Sequence, residues 1–204
     1  MVNPAEALAA GRSLRVGGYA AIDFETATRF PDSACALGVA VVDNGQIVAI
    51  RRWLIRPPDN SYEDSNVGIH GITPEMTATA PGMVDVWAEA ADLIGPRSLV
   101  AHNASFDVGV LHKSLACCGA DAPDVTSFCT VRLARRTWPG WPSYRLPEVA
   151  AACGIVFSHH QPDADARAAA EIAMACCGAH GASDLISLTS SLNSFSSGRD
   201  TSIP

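Results

Sequence analysis

The chain has 204 residues, 48% hydrophobic and 17% charged, enough for one substantial core and ordinary for a single globular domain. Its net charge of -7 argues against a protein that holds nucleic acid over a broad basic surface, though not against an enzyme that grips only a strand end. No stretch approaches 18 uninterrupted apolar residues and the first 18 residues lack a secretory pattern, so a soluble, cytoplasmic protein without membrane contact is expected. Seven cysteines include two adjacent pairs and no C-x-x-C; zinc-site spacing is absent, and reduced, mostly buried thiols are expected.

Residues 1–18 are rich in Ala and Gly and read as a loose lead-in. Tyr19–Thr26 is a short apolar strand that ends in carboxylates. A loop follows to Ser33, then a buried strand over 35–42. Asp43-Asn44-Gly45 is a hairpin signal, and the alternation over 47–55 predicts the return strand of a three-stranded meander. Residues 57–66 are turn-rich, and Ile69 to Pro74 reads as a tight turn with Thr73 capping a helical turn.

Val86, Trp87, Ala90, Leu93 and Ile94 repeat at helical spacing and predict a helix over 82–94, ended by Gly95-Pro96. Ser98–Ala101 is a strand that delivers His102 to Asp107 to a strand-to-helix junction. The following helix stops at Gly119, a fifth strand spans 125–130, and helices are expected over 131–136 and 146–153 around a rigid loop from Trp138 to Pro142. An Ala-rich helix opens after His159-His160 and runs to about Cys177, and 184–192 forms a last helix. The expected division is therefore a lead-in over 1–18, one domain over 19–192 and a Ser-rich mobile tail over 193–204. Strands first, then strand and helix in alternation, imply an α/β protein with a mixed five-stranded sheet flanked by helices.

Asp23 and Glu25 stand two apart on an extended chain and so share a face. Two adjacent anions repel, and either one takes up a proton or a divalent metal neutralises them. A strand end dissolving into a solvated turn is the plainer reading of such a pair. Asp107 and Asp165 each fall in the first turn of a predicted helix, where the backbone dipole favours an anion. His160 lies five residues before Asp165.

The order D-F-E-T at Asp23, H-N-A-S-F-D at His102 and H-x-x-x-x-D at His160 resembles the three motifs of the DEDDh exonuclease family, which includes the epsilon-type proofreading subunit of bacterial DNA polymerase III. The resemblance covers about residues 19–177 and extends to Ile69-His70-Gly71-Ile72-Thr73 and Ser143-Tyr144-Arg145-Leu146. It implies an RNase H-like fold and a 3'-to-5' exonuclease that uses two divalent ions, Mg2+ or Mn2+. By that resemblance Asp23 bridges both ions, Glu25 and Asp165 hold one, Asp107 acts on the second largely through water, and His160 is the general base. His159 is one residue out of the family spacing and reads as a surface or supporting residue.

Phosphodiester hydrolysis needs an attacking hydroxide, an in-line path and a sink for leaving-group charge, all of which paired metals supply. Hard oxygen ligands suit Mg2+ or Mn2+, and an imidazole with a reference pKa of about 6.5 can accept the water's proton. Phe24, Thr26, His70, Asn103 and Phe106 are the expected substrate contacts, Phe106 by stacking; core packing for Phe106 and structural hydrogen bonding for His70 and Asn103 are the competing readings. Arg132, Arg135 and Arg136 make a basic helix face, read as solvated before phosphate-tracking. Many relatives carry Asp before the Thr of the fifth strand, and here Cys129-Thr130 stands instead, which bears on substrate contacts rather than on the reaction.

The expected substrate is a nucleic-acid 3' end, single-stranded DNA favoured over RNA. An RNA-trimming relative is the alternative, since recognition of the 2'-hydroxyl is not legible in sequence; a non-catalytic scaffold subunit is the alternative of another class. Association with a polymerase or clamp stays open, because Asp184 to Leu188 only faintly resembles a clamp-binding peptide and reads first as an amphipathic helix.

Overall fold

The computed structural model describes residues 2–197, with side-chain surroundings to residue 192. A five-stranded sheet carries strands β1 (Tyr19–Thr26), β2 (Ala34–Asp43), β3 (Gln46–Leu54), β4 (Ser98–Ala101) and β5 (Ser127–Cys129) in the order β3-β2-β1-β4-β5. The expected meander is present as two antiparallel ladders, and β4 and β5 add in parallel. β2 is buried along nearly its whole length, as a strand covered on both faces must be, whereas the edge strand β3 alternates between exposed and half-buried positions.

Helices α1 (Pro4–Ser13), α2 (Asp64–His70), α3 (Pro74–Thr77), α4 (Met83–Ile94), α5 (Ala104–Cys117), α6 (Thr130–Thr137), α7 (Leu146–Ala152), α8 (Pro162–His180) and α9 (Leu185–Ser197) complete the chain. The period-two alternation of β1 divides the core. Tyr19 and Ala21 face a cluster built with α8, α1, α6, α7 and α9. Ala20, Ile22 and Phe24 face the other cluster, with α4 and α5. Asp23 and Glu25 therefore continue the α8 side of the strand.

Three elements differ from the sequence reading. The lead-in is not loose: α1 starts with the Asn3 side chain accepting the Ala5 N–H at 2.9 Å, and Ala7 is fully buried. Its close approach to α8 needs Gly178, where a Cβ would overlap the Ala7 carbonyl, and Arg12 reaches Glu171 of α8 at 2.6 Å. The turn-rich segment contains α2, and the expected tight turn is the end of that helix, closed by Gly71 at φ 72°. Finally, α9 continues past residue 192 to Ser197, while the rest of the predicted tail, 198–204, lies outside the described residues. Leu185 and Leu188 are buried in the core, which accounts for the Asp184 to Leu188 pattern as ordinary helix packing. Among the described residues no helix is long and apolar enough to cross a membrane.

Candidate active site

β4 pairs with β1 only along Tyr19 to Ala21, so the second half of β1 runs on past its parallel neighbour. This is the carboxyl end of two parallel strands, where open α/β sheets leave a crevice. Asp23 and Glu25 occupy it. The first turn of α5 brings Asp107, 2% exposed, whose Oδ1 accepts the Phe24 N–H at 3.0 Å. The first turn of α8 brings Asp165, also 2% exposed.

One carboxylate oxygen from each of Asp23, Glu25 and Asp165 lies within 4.8 Å of the others. Burial first, then the charges of Asp107, Asp165 and Glu25, push the Asp23 carboxyl well above its usual range. Burial and the Asp165 charge raise Glu25 to about 7. Burial raises Asp107 to about 7 against the opposing hydrogen bond from Phe24. Such a group of oxygen donors, crowded and desolvated, fits one or more hard divalent cations, which remove the repulsion that protons otherwise relieve.

The chelated protein follows from this. Carboxylates with ordinary values near 4 are ionised in the unfolded chain, while the folded chain still holds protons up to about 7. The folded state thus binds more protons over that window, and its stability falls as pH rises through it. The melting temperature in chelator is expected to drop between about pH 5 and pH 8 on this account, and Mn2+ is expected to restore most of the loss at the upper end. A calorimetric pH series with and without Mn2+ checks it.

The approach of α8 to β1 depends on Gly38, the β2 residue in register with Asp23. A Cβ at Gly38 would overlap the Pro162 carbonyl and crowd the Asp163 nitrogen. Gly38→Ala is expected to push the start of α8, and Asp165 with it, away from Asp23. Overpacking of about 1–3 kcal/mol corresponds to roughly 2–12 °C of melting temperature, and misplacement by about 1 Å costs on the order of 10²-fold in turnover. Thermal melts and initial rates on the one variant test both.

Ahead of α8, His160 takes a left-handed backbone, φ 64°, and its N–H donates to Asp165 Oδ2 at 2.9 Å. His159 directs its ring at Asp165, with Nδ1 3.1 Å from both carboxylate oxygens. The two rings stack at 3.8 Å. Burial and the neighbouring His159 lower the His160 pKa, with Asp165 opposing. The His159 ring and the His160 backbone N–H thus hold Asp165 together, and the His160 ring lies beside that carboxylate with no hydrogen bond to it.

The expected substrate contacts divide. Phe106 is 45% exposed in the first turn of α5, and Asn103, at φ 77°, is exposed at the start of that helix. Phe24 is not: it lies on the opposite face of β1, 3% exposed, in the core under α4 and α5. His70 is buried too, its Nδ1 accepting the Ile72 N–H at 3.0 Å and its Nε2–H donating to the Thr26 carbonyl at 3.2 Å. Thr26, 8% exposed, also receives Asn66 at its carbonyl, 2.9 Å away, so this loop is held by its own hydrogen bonds.

His102 is a wall residue that sequence reasoning passed over. Its Nε2–H donates to the Tyr144 carbonyl at 2.9 Å and its Nδ1 meets Thr130 Oγ1 at 2.8 Å. Burial lowers its pKa to about 4, so it stays neutral. The buried Thr130 is thereby given a use at the position where Cys129-Thr130 departs from the family pattern.

A mixed five-stranded sheet, helices on both faces and a carboxylate cluster at the end of its first strand define the RNase H-like fold with an acidic crevice. The family model described as Exonuclease matches residues 20–173, and the chain belongs to that exonuclease family, of the DEDDh type. It is similar to the DNA polymerase III subunit epsilon of Salmonella typhimurium, 32% identical over 108 residues, covering 51% of this chain and 44% of that protein. It is also similar to the 3'-5' exonuclease DinG of Bacillus subtilis, 30% identical over 154 residues, covering 72% of this chain and 16% of that protein. The chain spans less than half the length of these relatives. Among solved structures, exonuclease X in complex with 5' overhanging duplex DNA superposes with a TM-score of 0.68 at 27% identity, covering 80% of this chain and 93% of that one.

Proposed function

We propose that the protein is a 3'-to-5' exonuclease that removes nucleoside 5'-monophosphates from the 3' end of DNA. The observation that carries this reading is the convergence of Asp23, Glu25 and Asp165 within 4.8 Å, with Asp107 buried behind them. Asp23, Glu25, Asp107 and Asp165 would hold two divalent ions, Mg2+ or Mn2+. When bound, such ions polarise the phosphate and stabilise charge on the leaving oxygen.

The remaining work falls to the chain's own groups. His160, unprotonated at neutral pH, takes a proton from the attacking water at a ring nitrogen. His159 orients the Asp165 carboxylate through Nδ1, and Asp107 fixes the end of β1 through the Phe24 N–H. Phe106 and Asn103 meet the terminal nucleotide. The DNA preference draws on the substrates printed for the relatives, a DNA polymerase subunit and an exonuclease bound to duplex DNA. A cytoplasmic location belongs to the same reading as an expectation, while association with a polymerase or clamp stays open.

Single-stranded DNA and RNA of one sequence, labelled at the 5' end, should be incubated with Mg2+, Mn2+ or chelator. DNA shortened stepwise from its 3' end, faster than RNA and only with metal, supports the proposal. Faster loss of RNA selects the RNA-trimming alternative. No cleavage of either strand under saturating Mn2+ sinks the enzyme reading and leaves the scaffold one.

A further inference from the structure

Two adjoining hollows lead away from Asp23. One, of ≈ 440 Å³, is lined by Asp23, His102, Arg145, Glu148 and His159 among others. The next, of ≈ 600 Å³, shares His102, Arg145 and Glu148 and adds Asn103, Arg135 and Tyr144. Three common walls make them one cleft, leading from the carboxylates to α6. We infer that Arg135 and Arg145 form a phosphate track along this cleft, holding single-stranded DNA beyond its terminal nucleotide; the inference rests on the exonuclease reading.

Arg135 is held in place before any ligand arrives. Its guanidinium lies 5.5 Å over the Tyr144 ring. Tyr144 stacks on Trp141 at 5.9 Å, and Trp141 on Trp138 at 5.3 Å. Trp138 is 1% exposed, so the stack anchors an exposed cation to the core. The Tyr144 hydroxyl donates to the Trp138 carbonyl at 2.6 Å, which locks the loop between them. Arg145 is exposed at the start of α7, its backbone N–H 3.3 Å from Ser143 Oγ.

Among the described residues, neither guanidinium is in an ion pair. In a chain of net charge -7, two cations without acidic partners stand on the cleft that leaves its most acidic point. A planar guanidinium with five donors suits a phosphate diester, and one already stacked loses little freedom in binding it. Glu148, where the two hollows meet, has the opposite effect and repels an anion. The track is therefore selective about where the backbone passes, close to the arginines and away from the Glu148 carboxylate.

The test uses the full chain and an oligothymidylate in Ca2+, with binding followed by anisotropy over a salt series. Each of R135A and R145A should flatten the slope of log affinity against log salt by about 0.7, the value for one lost contact on a single strand, and the pair by roughly twice that. R135K and R145K should keep the slope, and E148Q should tighten binding. In Mg2+, the double alanine variant should raise KM about tenfold for a strand of about 12 nucleotides and clearly less for a dinucleotide. An unchanged slope in the double variant, equal KM penalties at both lengths, or lysine variants as impaired as the alanine ones would overturn the track. Binding needs no turnover, so a wild type that cleaves nothing sinks the exonuclease reading alone while the slopes still decide for or against the track.

Discussion

Asp23→Asn is expected to lower hydrolysis of DNA 3' ends by at least about 10³-fold, some 4 kcal/mol of transition-state stabilisation, while leaving the fold intact. Asp23 is the residue on which the other three carboxylates converge: its charge is opposed by Asp107, Asp165 and Glu25 together. Replacing it with a neutral amide of the same shape removes the proposed cation ligand and a repulsion that the metal-free fold tolerates poorly. The two effects have opposite signs in two measurements. Turnover in Mg2+ should collapse, whereas the melting temperature in chelator at about pH 8 should hold or rise, because one ionised carboxylate is gone from the crevice. Asp165→Asn should match the loss of turnover without that gain, since it also weakens the hold of His159 on the carboxylate. Turnover within tenfold of the wild type in Asp23→Asn would remove Asp23 from the ligand set.

The parts of this site legible in sequence were those fixed by local rules. Alternation along Tyr19–Thr26 puts Asp23 and Glu25 on one face, and helix starts favour Asp107 and Asp165; the order of the three motifs then joins them. The same alternation excludes Phe24 from that face, so its place in the core was available from period two alone. His70 was harder: the Ile72 N–H in the turn after α2 takes one ring nitrogen, and the fold of Thr26 against that helix end takes the other. α1 was hidden because Ala and Gly carry little amphipathic signal, and its stability comes from contacts with α8 more than 150 residues away, such as Arg12 with Glu171. The pairing of His159 with Asp165 depends on a left-handed turn at His160, a conformation uncommon for a residue with a side chain. The aromatic stack beneath Arg135 likewise joins residues whose spacing follows no helix or strand period.

His160→Ala is expected to cut kcat by about 10²–10³-fold with KM changed only a few-fold, the signature of a lost proton acceptor. The backbone of His160 already serves Asp165 through its N–H, and alanine keeps that bond, so the loss reports the ring. Strain needs its own control, because φ is 64° there. His160→Gly relaxes the backbone and should be as inactive as His160→Ala. His159→Ala removes the two 3.1 Å contacts to Asp165 and should act differently, raising the Mn2+ concentration for half-maximal rate on the order of 10-fold, with a smaller fall in kcat at saturation. Steady-state rates over a Mn2+ titration separate the three variants. A kcat lower in His159→Ala than in His160→Ala at saturating metal would move the base to His159, and near-normal kcat in both would place proton transfer on a group outside this loop.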